Sequence, residues 1–314
     1  MKLVPTSVLA LALVLLACTR EPPPRRAGGS PEAAASPVVT PPPPVPSSGA
    51  TPAALPPPVT AVYAWQPAGK ERLDVRFGPP AGFTRGAVAE GSFAAFLRTL
   101  PLLPEGAPLV DYRGRPLHDG GRHPNVAAIV DLDVGGADLQ QCADSVIRLH
   151  AEWRYGRGDR DLAYSAASGT SIPYRRYLAG ERVVASGNTL SFVKGAAARD
   201  DHAFFRRYLD DVFAWANTSS LERTSKRVAI ADVQAGDFFV MRGSPFGHAV
   251  LVLDVAQDDA GRVALLLGQG FKPAQSFPVL RPSLRETWFV VERGDAAVAT
   301  PFWPPFPIES LRRL

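Results

Sequence analysis

The sequence predicts an α+β fold with helices in its N-terminal part and an antiparallel sheet in its C-terminal third. Apolar residues recur at helical spacing between Ser92 and Trp153 and again between Phe204 and Ala216. Short β-rich runs then follow one another: Phe238 to Arg242, His248 to Val255, Val263 to Leu267 and Trp288 to Glu292. Because the helical segments come before the strand-rich third, the two kinds of element segregate, and that order defines the class.

The body begins near residue 61 and runs to 314 as one domain. At 46% hydrophobic and 20% charged, the chain holds enough apolar material for a packed core. Its net charge of +4 is spread without a basic block long enough to neutralise a run of phosphates, which excludes nucleic acid as a partner. Of its 32 prolines, 14 lie between Pro22 and Pro58, including Pro41-Pro42-Pro43-Pro44, in a stretch with hardly an aromatic. Residues 18–60 are therefore read as a disordered tether, since such a composition cannot offset the entropy of ordering. In polyproline II, at roughly 3.1 Å per residue, it would reach on the order of 100 Å.

Residues 1–17 read as a signal peptide. Met1-Lys2 gives a positive start, and the apolar run Val8 to Leu16 is too short to span a bilayer. Leu15-Leu16-Ala17-Cys18 resembles the lipobox of bacterial lipoproteins, which implies cleavage before Cys18 and its acylation, with the membrane as partner through the lipid anchor. Thr19, rather than Asp, follows the cysteine. In a Gram-negative cell the resemblance then implies the outer membrane, with the body in the periplasm or exposed at the surface. Cys142 would be the remaining free thiol in an oxidising compartment.

In the body, Ser92 is placed to cap a helix with Phe93, Phe96, Leu97 and Leu100 on one face, and Pro101 stops it. Val126 to Val134 reads as a strand, Gly135-Gly136 as a turn, and Asp138 as the cap of the next helix. That helix puts Leu139, Cys142, Ala143, Val146, Ile147, His150 and Trp153 on one stripe and ends at Gly156. Residues 157–199 read as irregular. Asp200 or Asp201 caps a third helix. In the C-terminal third, Gln257 to Gly261 carries the turn between two strands.

Chemistry is sought first at Cys142, because a helix start favours an anion and lowers a thiol's pKa. A thiol nucleophile needs a base and a group that orients that base. Of five histidines, His118 and His123 lie in a Gly-rich loop, His150 is two turns along the cysteine's own helix, and His202 sits among aspartates. His248 differs, since it opens an apolar strand that has no structural need of it. A hairpin turning at Asp258-Asp259 or at Asp259-Ala260 pairs His248 with Gln269 or with Phe271, and both registers put His248 and Gln269 on one face. The competing reading makes Cys142 a small buried hydrophobe and His248 a satisfied sheet residue. A metal at His118, Asp119 and His123 is not expected, because their spacing matches no zinc pattern. No Gly-x-Ser-x-Gly elbow occurs.

Cys142 at a helix start, Gly247-His248-Ala249-Val250 on a strand and a polar residue on the next strand are similar to the papain-like cell-wall hydrolases of the NlpC and CHAP groups. The resemblance implies a papain-like body and a cysteine hydrolase without cofactor that cleaves a peptide or amide bond, with peptidoglycan or its peptide as substrate. Cys142 would be the nucleophile, His248 the base and then the acid, and Gln269 the orienter. The backbone N–H of Cys142, with Gln141, would bind the oxyanion. Gln141 stands where NlpC enzymes commonly carry Asp. The alternative is a non-catalytic envelope lipoprotein that binds glycan or peptide in the same cleft, with Tyr174, beside Tyr164 and Tyr177, lining it. A closer likeness runs along almost the whole body. Phe83-Thr84-Arg85, Leu97-Arg98-Thr99-Leu100-Pro101, Asp131-Leu132-Asp133-Val134-Gly135, Leu139-Gln140-Gln141-Cys142-Ala143-Asp144, Gly247-His248-Ala249-Val250 and Gln269 with Pro273-Ala274-Gln275 resemble an uncharacterised bacterial family, domain of unknown function 4846, whose members are often lipoproteins.

Overall fold

The computed structural model describes residues 70–314 apart from Asn188, Ser244 and Pro245. The signal peptide over 1–17, the tether over 18–60 and the acylation site Cys18 lie outside the described residues.

Among the described residues, nine strands form one antiparallel sheet. In spatial order its main path runs Val126–Val130, Phe277–Leu280, Val263–Gly268, His248–Gln257, Phe238–Met241, Leu311–Arg313 and Lys226–Arg227. Thr84–Arg85 adds to the far end of His248–Gln257, and Phe289–Val291 to the start of Val263–Gly268. The result is a mixed α and β fold with a large antiparallel sheet and few helices.

The strand His248–Gln257 is central and buried almost throughout, so both its faces are apolar. Ala249, Leu251 and Leu253 point to the layer holding Leu97, Leu100, Val146 and Ile147 from the helices. Val250 and Val252 point the other way, into a second layer with Phe239, Leu265, Val298, Phe306 and Leu311. Each such side chain, fully buried, contributes about 1.5–3 kcal/mol relative to exposure. The C-terminal segment completes this second layer through the short hairpin of Ala297–Val298 with Phe306–Pro307.

The local signals decide the helices. Phe93–Arg98 is helical, and Ser92 Oγ accepts the Ala95 N–H at 3.1 Å. Asp201, not Asp200, caps His202–Trp215 by accepting the Phe204 N–H at 2.7 Å. Two boundaries differ from expectation. The strand from Val126 ends at Val130, and the next helix spans Cys142–Gly156, with Gln141 rather than Asp138 at its cap. Asp138 Oδ1 is occupied instead by the Ala274 N–H at 2.7 Å and by Gln141 Nε2 at 3.0 Å. Residues 157–199, expected to be irregular, form the hairpin of Ala163–Ser165 with Ser171–Pro173, the short helix Tyr174–Leu178, and the hairpin of Glu181–Ser186 with Thr189–Lys194. The tyrosines of that segment are core residues, and Tyr174 and Tyr177 pack on Tyr208.

Two buried carboxylates lock the periphery to the sheet. Asp254 takes Arg85 at 2.6 Å and Arg98 at 2.7 Å, fastening the N-terminal segment to the central strand. Asp237 accepts Arg313 Nε at 2.6 Å and Nη2 at 2.7 Å, fastening the last strand.

Candidate active site at the start of the central strand

The loop that leads into Cys142 is held from inside the fold. Arg148, fully buried, gives Nη1 to the Asp133 carbonyl and to Gln140 Oε1, both at 2.8 Å, and Nε to Glu152 at 2.7 Å. Glu152 also pairs with His202 Nε2 at 3.0 Å. A buried cation with this many hydrogen bonds fixes the 133–140 loop, and with it the position of the helix start.

Cys142 is the first residue of its helix. Its Sγ lies 4.0 Å from the Gly247 carbonyl, toward which the thiol donates, and the Ala249 N–H points back at the sulfur. The thiol therefore presses on the backbone on both sides of His248. Close approach is built in at Gly270, where a Cβ would collide with Ser145 Oγ and the Gln141 carbonyl.

The expected depression of the thiol pKa is not what the structure gives. Burial, and after it the charge of Asp144 two residues along, push Cys142 up to about 11, against the pull of the Ala249 and Ala143 N–H groups. Part of the residue still reaches solvent. Asp144 is itself pushed up to about 8 by burial. Its Oδ2 accepts the Gln141 N–H at 3.1 Å, while Oδ1 has no hydrogen-bond partner among the described residues. The helix terminus favours an anion, but here desolvation and a neighbouring carboxyl outweigh it.

His248 is 2% exposed, and its Nε2 donates to Gln269 Oε1 at 2.7 Å. This hydrogen bond depends on two irregularities. The turn after Gln257 leaves an odd loop, so Val263 faces Gln257, a register that would put His248 and Gln269 on opposite faces. A bulge between Leu266 and Leu267 shifts the pairing back, so that Leu267 faces Val252 and Gly268 faces Leu251. The two offsets cancel, and Gln269 returns to the histidine's face. The Gln269 N–H is also bound to the Pro278 carbonyl at 3.3 Å.

Around the imidazole stand Trp303 at 4.8 Å, Phe271 at 5.0 Å and Phe306 at 6.0 Å between ring centroids. Burial lowers the His248 pKa to about 4, opposed by the Gln269 hydrogen bond. At neutral pH the ring is uncharged, with its proton on Nε2 and its lone pair on Nδ1. Thiol and imidazole thus meet one strand end from the two sides of the sheet. Among the described residues no hydrogen bond joins them, and both rest in their neutral forms.

The remaining sequence candidates fall elsewhere. Tyr174 is fully buried in the core, with its hydroxyl directed at Asp200, so its ring is not a surface for a ligand. The Gln141 N–H is already committed to the Leu139 carbonyl and to Asp144, and its side-chain amide to Asp138, which leaves the Cys142 N–H as the oxyanion donor of the expected pair. Sequence reasoning missed the aromatic walls Trp303 and Phe306 and the neighbouring Asp144. Phe271 was within reach of period two, since it shares the face of Gln269.

A groove of about 800 Å³ opens elsewhere, lined among others by Phe93, His150, Trp153 and Arg157, and none of Cys142, His248 or Gln269 borders it. Three of its arginines are neutralised by buried acids, Arg85 and Arg98 by Asp254 and Arg313 by Asp237. The groove offers volume, whereas the strand end offers a nucleophile and a base. Among the described residues no cluster of three or more His, Cys, Asp or Glu could hold a metal ion, and no helix is long and apolar enough to cross a membrane.

Neither the curated proteins nor the solved structures contain a match to this chain. The family comparison is positive, and the matched span runs from the first buried helix residue, Leu73, to Arg313 on the last strand, enclosing Cys142, His248 and Gln269. Over residues 73–313 the chain matches the family described as Domain of unknown function (4846), and it belongs to that family.

Proposed function

We propose that the protein is a membrane-anchored, extracytoplasmic cysteine hydrolase with a papain-like body. Its substrate would be a peptide or amide bond of cell-wall peptide. The observation that carries the reading is the hydrogen bond from His248 Nε2 to Gln269, made where Sγ of Cys142 touches the backbone on either side of that histidine.

The bond fixes the tautomer. With Nε2 donating to Gln269, Nδ1 is the base. In the reaction, Sγ attacks the carbonyl carbon while the thiol proton passes round the strand end to Nδ1 by way of a bridging water, and the Cys142 N–H faces the oxyanion that forms. The imidazolium then gives that proton to the departing nitrogen, and the C–N bond breaks to leave a thioester and a free amine. Water, losing a proton to Nδ1, attacks the thioester, and the carboxylic acid leaves as sulfur takes the proton back. Because thiol and imidazole rest neutral, the proton moves only when a substrate carbonyl shares the site. Acylated Cys18 and the Pro-rich segment over 18–60 would hold this body within reach of the wall, from the outer membrane.

The test is to incubate the purified protein with peptidoglycan fragments beside Cys142→Ala. A new amine and carboxyl terminus released by the wild type alone is the expected result. Identical product profiles from both would remove the hydrolase reading for this substrate.

A further inference from the structure

His248 is the inner end of a chain of rings that runs to the surface. Phe271 lies 5.0 Å from it, Phe302 6.3 Å from Phe271, His123 4.5 Å from Phe302 and His118 4.7 Å from His123, with Trp303 beside both His248 and Phe271. Phe271, Phe302, Trp303 and His123 are half-buried and His118 is exposed, so the chain of rings lies at the surface rather than in the core.

The backbone under this chain is unusual. His118, at φ 53°, and Phe302, at φ 74°, are the two non-glycine residues with positive φ among the described residues. They come from segments nearly 200 residues apart, yet their rings stand 5.7 Å from each other. A left-handed conformation disfavours a bulky aromatic such as Phe302, whereas histidine adopts it more readily, so the strain of the patch sits at Phe302, whose ring is turned onto the two imidazoles. Beside the patch, Lys272 is exposed and lies over Phe246, itself 58% exposed, at 4.3 Å. Flat rings bordered by imidazole nitrogens and an ammonium group match a ligand with an apolar face and a polar rim.

We infer that Phe271, Phe302 and Trp303, rimmed by His118, His123 and Lys272, form a carbohydrate subsite that stacks a pyranose ring of a β-linked amino-sugar chain beside His248. The C–H face of a pyranose covers an aromatic ring, and its hydroxyl edge meets the donors around it. An apolar peptide side chain would use the rings and leave the imidazoles and the ammonium unanswered. This deepens the hydrolase reading and rests on it for the choice of an amino sugar, because the attached peptide of a sugar held on the His248 side would run over the strand end toward Cys142.

The experiment uses the full chain carrying Cys142→Ala, so that nothing turns over, titrated calorimetrically with a soluble β-1,4-linked N-acetylglucosamine trimer and, separately, with a stem peptide bearing no sugar. Binding of the trimer, weakened at least tenfold by Phe302→Gly, is the expected result. Glycine is at ease at φ 74°, so this variant removes the ring and relieves the backbone. Its melting temperature should match or exceed that of the parent. Trp303→Leu should weaken the trimer likewise through a second ring. Binding of the peptide alone, unchanged trimer affinity in both variants, or a large drop in melting temperature on Phe302→Gly would overturn the subsite. The two readings separate cleanly. Trimer binding without any product from wild type removes the hydrolase and keeps the sugar site, and product release without trimer binding does the reverse.

Discussion

The central strand carries a buried polar side chain near each end, and the two are treated in opposite ways. At the far end Asp254, fully buried, meets Arg85 at 2.6 Å and Arg98 at 2.7 Å, and its Oδ1 also accepts the Val255 N–H at 2.9 Å. Every charge there is answered. At the near end His248 has one neutral hydrogen bond, from Nε2, and otherwise apolar rings, on the strand end whose backbone the Cys142 thiol touches from the other side. The first arrangement holds elements together, while the second keeps an acceptor available. That contrast separates a structural polar residue from a chemical one more sharply than burial, since both residues are equally hidden.

Breaking the structural end should have the largest effect. Asp254→Ala leaves two largely buried guanidinium groups without their counter-charge, a loss of about 3–5 kcal/mol. For a body of this size that corresponds to a fall in melting temperature on the order of 10 °C, read by calorimetry. The N-terminal segment bearing Arg85 and Arg98 should also become accessible to protease. A drop of only a degree or two would show that Asp254 is not the clamp that its geometry makes it.

The near end should respond differently. Gln269→Leu keeps the shape but leaves the Nε2–H of His248 buried and unpaired, at about 1–3 kcal/mol. Its functional effect should exceed its effect on stability, because an untethered ring exchanges tautomers and presents Nδ1 only part of the time. The expected pattern is a fall in turnover of peptidoglycan fragments with KM little changed, and Gln269→Glu, which keeps an acceptor, should recover part of it. Equal losses of turnover and stability across both variants would reduce Gln269 to a packing residue.

How far this contrast was legible in the sequence follows from where each interaction closes. The helices at Phe93 and His202 were legible because Ser92 and Asp201 cap them within three residues, a distance that local pattern covers. The start of the Cys142 helix was misplaced because Asp138 is taken by Ala274, 136 residues away, which no window reveals. The Tyr174 segment was read as loop for the same reason, since its tyrosines are buried by Tyr208 and tied to Asp211 and Asp200 from a later helix and the loop before it. The strand Phe277–Leu280 went unseen because it is four residues long with Pro278 inside, yet its proline carbonyl holds the Gln269 backbone. The shared face of His248 and Gln269 was read from an even two-residue turn at 258–259 or 259–260, but the loop is odd and alternation from it separates the two; only the bulge between Leu266 and Leu267, which no pattern signals, brings them back together. The aromatic walls could not be read, because Trp303 and Phe306 come from a segment whose pairing is set by the second apolar layer.

The finest test of the contrast lies in the proton of Cys142. With burial holding the thiol well above neutrality, only a small fraction of molecules carries a thiolate at pH 7, so alkylation by iodoacetamide should be slow there and rise about tenfold per pH unit. Asp144 adds structure to that rise. Its carboxyl titrates near 8, so below that pH it is mostly neutral and places little charge beside the sulfur, and above it the new carboxylate opposes thiolate formation. The log of the wild-type rate should therefore climb, flatten near pH 8, and climb again toward 11. Asp144→Asn keeps an oxygen to accept the Gln141 N–H but can never be charged, so its profile should be a single rise to a lower endpoint, with faster alkylation at pH 9 than the wild type and no difference at pH 6. Asp254→Asn, at the other end of the strand, should leave the whole profile unmoved. Superimposable wild-type and Asp144→Asn curves would mean that the carboxyl does not act on the thiol, and burial alone would then set the resting state of the near end.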